Sequence, residues 1–128
     1  MKKFKFTLAS LLKLKISLEK QQKAALAQAD ARVAAFQAEL SAMVEDFAAH
    51  REKYLSGGLT VAELRRYGDY FAALRDRIEQ QNRKIQVAQQ ERDRIRAQVV
   101  ETMRSRKALE KLRQTQYRAW LQEAAKED

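Results

Sequence analysis

The chain has 128 residues, no cysteine, no proline and only three glycines. Without cysteine there is no disulfide framework and no thiolate metal site, a composition that suits a reducing compartment. Without proline, nothing of that kind kinks or breaks a helix. Long apolar runs are also missing. Met1-Lys2-Lys3 resembles the opening of a signal peptide, but Lys5, Lys13 and Lys15 interrupt every apolar run before it reaches the length of a signal core or a membrane span. The expectation is neither a signal peptide nor a transmembrane helix.

What is present is a seam of residues stepping by threes and fours. Leu64, Tyr67, Phe71, Leu74, Ile78, Gln81, Ile85, Ala88, Arg92, Ile95 and Val99 keep that spacing without a slip. A stripe that stays turned to one neighbour over so many turns marks a long helix lying on a partner helix. The first half carries a matching seam: Leu8, Leu11, Lys15, Leu18, Gln22, Ala25 and Ala29, then Val33, Phe36, Leu40, Met43, Phe47, His50 and Tyr54. The extra four-residue step between Ala29 and Val33 reads as a stutter, which locally unwinds a supercoil.

Between the halves lie two of the three glycines, Gly57 and Gly58. A glycine just past a helix end takes the left-handed conformation that closes the last turn. Thr60 and Glu63 have the spacing of a capping box, with Leu59 and Leu64 as a hydrophobic staple. Stop and start signals this close leave room for one tight reversal. The expected fold is therefore all-α, a long antiparallel two-helix coiled-coil hairpin forming one domain: helix 1 over about residues 7–55, a turn at 56–60, and helix 2 over about 61–122. Folding about the turn pairs residues whose numbers sum to roughly 117, so Tyr54 should lie near Leu64, Phe36 near Gln81 and Leu18 near Val99. The stretch from Tyr117 onward has no partner in this register and is expected to overhang or fray.

Charge is unevenly distributed. Residues 1–23 hold seven lysines and one acid, and residues 92–118 hold nine basic residues and three acids. The hairpin brings these segments together at its base with a combined charge of +12, more than the +9 of the whole chain. Like-charged helices side by side repel, so an acidic partner explains the pattern, as does a solvated face that keeps the protein soluble.

The turn end is aromatic instead. Tyr54, Tyr67, Tyr70 and Phe71 cluster there around Gly68. Tyr67 and Phe71 are seam positions, whereas Tyr70 is off the seam and reads as an exposed anchor for a partner. Gly68 inside a helix reads first as a close approach between helices and second as a docking notch.

Nothing points to catalysis, so no enzyme and no cofactor is expected. His50, the lone histidine, falls on the seam, where it reads as a polar layer that fixes register. Asp30, Glu39, Glu45, Asp46 and Glu52 are spread along a helix with no pocket to gather them. Gly57-Gly58 lacks the strand and lysine of a phosphate-binding loop.

Several segments carry a family resemblance. Phe4-Lys5-Phe6-Thr7-Leu8, Leu11-Leu12-Lys13-Leu14-Lys15, Gly58-Leu59-Thr60, Tyr67-x-x-Tyr70-x-x-x-Leu74 and Lys107-Ala108-Leu109-Glu110-Lys111-Leu112 resemble, in order and over nearly the whole chain, the FliJ family of flagellar export proteins. The resemblance implies a non-enzymatic cytoplasmic component of the bacterial flagellar type III export apparatus, peripheral at the inner face of the cell membrane. Such a protein is similar to a rotary-ATPase stalk: its paired helix ends enter the hexameric export ATPase, while the hairpin also meets an export-gate membrane protein and export chaperones. On that footing Lys13, Lys15, Arg104, Arg106, Lys107, Lys111 and Arg113 would bind the ATPase ring, and Tyr54, Tyr70, Leu74 and Arg77 the export gate. The related alternative is the stalk of a virulence injectisome. Two other classes use the same cations, a nucleic-acid binder and a binder of anionic membrane. No base-reading motif supports the first, so no nucleic acid is expected, and the seam's claim on the N-terminal leucines weighs against the second.

Overall fold

The computed structural model describes residues 2–127. Two helices, α1 (Ala9–Leu55) and α2 (Val61–Glu127), pack against each other as an antiparallel hairpin, and there is no strand among the described residues. Tertiary contacts cluster into two compact units, one of residues 28–92 and one of residues 1–27 with 93–128. The first contains the turn, the second the paired ends. Their boundary on α1 falls beside the four-residue step at Ala29–Val33.

The turn forms as its residues dictate. Gly57 and Gly58 both have positive φ, 83° and 77°, the left-handed conformation that an L side chain resists. The last turn of α1 closes through the Ser56 amide, which donates to the Glu52 carbonyl at 3.1 Å, and through the Ser56 hydroxyl, which donates to the Lys53 carbonyl at 2.7 Å. On the other side Thr60 Oγ1 accepts the Glu63 amide at 3.2 Å, capping α2.

In the turn unit the seam packs as the spacing demands. Val33, Leu74, Gln81, Ile85 and Ala88 are buried, and Phe36, Leu40, Met43, Phe47, Tyr67, Phe71 and Ile78 are half-buried. Phe47 meets Phe71 edge-on with centroids 5.3 Å apart. Gln81, only 3% exposed, donates through Nε2 to the Phe36 carbonyl at 2.9 Å and to Glu39 Oε2 at 2.8 Å. The Phe36–Gln81 pairing is the one that the sequence predicts. The Tyr54 ring reaches along α2 to Tyr67, with centroids 6.1 Å apart, and to Phe71 at 5.7 Å. Long helical side chains lean toward their own N-terminus, which for α1 is away from the turn.

Gly68 departs from its first reading. A β-carbon added there would meet nothing within 4 Å, so no helix approaches it closely. It lies on the solvent side of α2.

The base unit differs most from expectation. Residues 2–6 are not helical, and α1 begins at Ala9, whose amide donates to the Phe6 carbonyl at 3.1 Å. This short strap packs on the end of α2, which runs to Glu127 rather than stopping near 122. Phe6 and Ala124 are buried, and the Phe4 ring lies 5.2 Å from Tyr117 and 6.0 Å from Trp120. The expected overhang from Tyr117 is therefore covered. Extended chain advances about 3.3 Å per residue against 1.5 Å for helix, so a few strap residues span several turns of α2. The alternation Phe4, Phe6, Leu8 is the period-two pattern of such a segment. Because the chain enters α1 from the strap, Leu8 and Leu11 stay exposed while Leu12 turns inward.

Candidate docking surfaces

The residues expected to meet a partner divide into two groups, one in each unit. In the base unit Lys13, Arg104, Lys107, Lys111 and Arg113 are exposed, and Lys15 is half-buried at its seam position. Arg104, Lys107 and Lys111 are spaced three and four apart, so they project from one face of α2.

Arg106 has a different role from that expected of it. Its guanidinium binds Glu19 across the helix pair, with Nε to Oε2 at 2.5 Å, and donates through Nη1 to both Glu110 carboxylate oxygens at 3.0 Å. Lys23 adds a second contact to Glu19 at 3.2 Å. Glu19 is only 6% exposed, and the hydrogen bond from Arg106 holds its carboxyl below the ordinary value. The same bonds raise the pKa of Arg106. In an antiparallel pair both long side chains lean toward their own N-termini and so toward each other, which lets residues offset along the axis connect. Arg106 joins the helices and is not free to meet a partner.

In the turn unit Tyr70 is corrected for the same reason. Its hydroxyl donates to Asp46 on α1, its ring lies 4.5 Å from that of His50, and it is half-buried. The bond to Asp46, followed by burial, raises the pKa of its phenol. His50 Nδ1 in turn lies 2.8 Å from the Asp46 carbonyl. Together Tyr70, Asp46 and His50 form the polar layer that His50 alone was expected to supply. Leu74, at 3% exposure, belongs to the core and offers nothing to a partner. Of the expected gate residues, Tyr54 and Arg77 are exposed.

What the sequence reading passed over is an apolar surface off the seam. Val44, Leu55 and Val61 are exposed, and Val44, Phe47, Ala48 and Leu55 line a shallow groove with Arg51 and Glu52. The signal was available: Val44, Ala48 and Leu55 recur by four and seven, which aligns them on one face of α1.

No group of His, Asp or Glu suited to a metal occurs among the described residues, and no helix is long and apolar enough to cross a membrane. Polar contacts, Glu19 with Arg106 and Asp46 with Tyr70, connect the two helices. Comparison with curated proteins and with solved structures gave no match. Comparison with family models did: the model described as "Flagellar FliJ protein" matches residues 4–128.

Proposed function

The chain belongs to the FliJ family and is a component of the flagellar export apparatus, and from that premise we propose that it works as a coiled-coil stalk. In this reading the cationic base enters the hexameric export ATPase, and the turn unit meets the export gate and export chaperones. The stalk couples ring and gate by binding each in a preferred arrangement, with no chemistry of its own. It sits in the cytoplasm, peripheral to the membrane through these partners. The family match is to the flagellar protein, which favours that system over the injectisome.

The observation that carries the reading is the charge of the base unit, 16 basic residues against seven acids, in a protein whose other unit has ten of each. A channel lined with carboxylates would attract such an end and orient it, since surface charges act more on association than on folding. Lys13, Arg104, Lys107, Lys111 and Arg113 carry this role, with Arg106 left to the ion pair. At the turn, Tyr54 and Arg77 remain as contacts, joined by Val44, Leu55 and Val61.

Reversing Lys13, Arg104, Lys107 and Lys111 to Glu tests the base. Binding to the ATPase ring and stimulation of its activity should fall steeply while helicity stays at its native level. Unchanged stimulation would overturn the assignment.

A further inference from the structure

The seam of the turn unit has two flanks, and they differ. Each helical residue turns about 100° from the one before, so a residue one step after a seam position and a residue three steps after it fall on opposite flanks. His50 and Tyr70 stand three steps after Phe47 and Tyr67, and their rings meet at 4.5 Å. That polar layer takes up one flank of the hairpin. Ala48, Leu55 and Gly68 stand one step after Phe47, Tyr54 and Tyr67, so they share the other flank. It is open and apolar. Val44 is 49% exposed and Leu55 66%, Val61 and Leu64 are exposed as well, and Gly68 has open space above it. A groove along this side of α1 runs from Val44 to Leu55 and holds one charge of each sign, Arg51 and Glu52.

We propose that the turn unit binds the turn unit of a second copy of this chain, open flank to open flank about a two-fold axis. Two helical hairpins packed face to face make a four-helix bundle, and off-seam apolar residues gathered on one side are what such packing needs. Charge selects the copy and the unit. The base unit, with 16 basic residues against seven acids, repels its counterpart, whereas the turn unit has ten of each. A two-fold axis also turns Arg51 of one copy toward Glu52 of the other and the reverse, so the groove is complementary to itself. The regulatory consequence rests on the reading that Val44, Leu55 and Val61 meet the gate or a chaperone: self-association covers that surface until such a partner displaces the second copy.

Sedimentation of the full chain over a range of concentrations tests the pairing. Monomer and dimer should exchange, and the dimer should gain as salt rises and screens the cationic base units. Val44→Gln with Leu55→Gln should weaken self-association by at least about tenfold, with helicity by circular dichroism unchanged. Gly68→Leu should leave the hairpin at least as stable, because the space there is open, and yet abolish the dimer by filling the flank. Arg51→Glu and Glu52→Arg should each weaken self-association, and an equimolar mixture of the two variants should restore it. A chain that stays monomeric into the millimolar range would overturn the proposal, as would a dimer that survives Gly68→Leu or a mixture that associates no better than either variant alone. Gate binding by the Val44/Leu55 variant is read separately. Loss of gate binding in a chain that never dimerises defeats the pairing and leaves the gate reading standing, whereas loss of the dimer with gate binding intact does the reverse.

Discussion

The turn unit and the base unit use one seam with two different chemistries. In the turn unit the facing positions are mostly aromatic and aliphatic, from Val33 and Phe47 on α1 to Phe71, Leu74 and Ile85 on α2, and the charges balance. In the base unit the facing positions include Glu19, Thr102 and Arg106, and the N-terminal strap supplies much of the apolar cover. Helix spacing alone therefore does not tell how a helix pair is held. The turn unit owes its cohesion to burial, which salt barely touches, whereas the base unit must hold together against its own positive charge.

The sharpest way to break this contrast is a core truncation. Leu74→Ala should destabilise the protein by about 2–5 kcal/mol, measured by urea unfolding, and the loss should be nearly the same at low and high salt. A strongly salt-dependent loss would mean that the turn unit is not held by packing.

Next in effect is the ion pair of the base. The carboxyl of Glu19 is held below its ordinary value, so its contribution is present above the unfolded value near 4.5 and disappears as pH falls through the lower folded value. Glu19→Ala should lower the thermal midpoint near neutral pH and leave Arg106 without its cross-helix partner. The difference from the native chain should shrink only as pH falls through the lowered folded value, where the native carboxylate is itself protonated. A difference that persists undiminished in acid would show that Glu19 acts by packing and not by charge.

Two smaller changes sharpen the picture of the turn unit. Thr60→Ala removes the acceptor for the Glu63 amide and should cost about 1 kcal/mol in chemical unfolding. Gly68→Ala should do the reverse, stabilising by about 0.4–1 kcal/mol, because the added methyl meets open space and the helical backbone suits alanine better. Destabilisation by that substitution would reveal a contact to Gly68 that the structure does not contain.

The hairpin was legible because its signals are local or strictly periodic: the Leu64–Val99 seam, the glycine pair with positive φ, and the Thr60 cap. The candidate surfaces were less so. A wheel places Tyr70 off the seam, but it does not say that a phenol has the reach to bond Asp46 on the other helix. Leu74 was marked both as seam and as a contact for a partner, and burial decides for the seam. Arg106 could have been found, since it continues the spacing from Val99 through Thr102, and a cation on a seam calls for an acid opposite. The strap is the least legible part, because the sequence reading starts helix 1 near residue 7 and assigns Phe4 and Phe6 no packing partner, although the alternation Phe4, Phe6, Leu8 fits extended chain.

The chain contains one tryptophan, and it lies beneath the strap. Trp120 stacks on Tyr117 at 5.9 Å and touches Phe4, whereas the other three tyrosines, Tyr54, Tyr67 and Tyr70, belong to the turn unit. The indole is thus a built-in optical reporter for one unit only. Its emission should shift toward longer wavelength when the strap lifts and water reaches the ring, and it should stay unchanged by events confined to the turn.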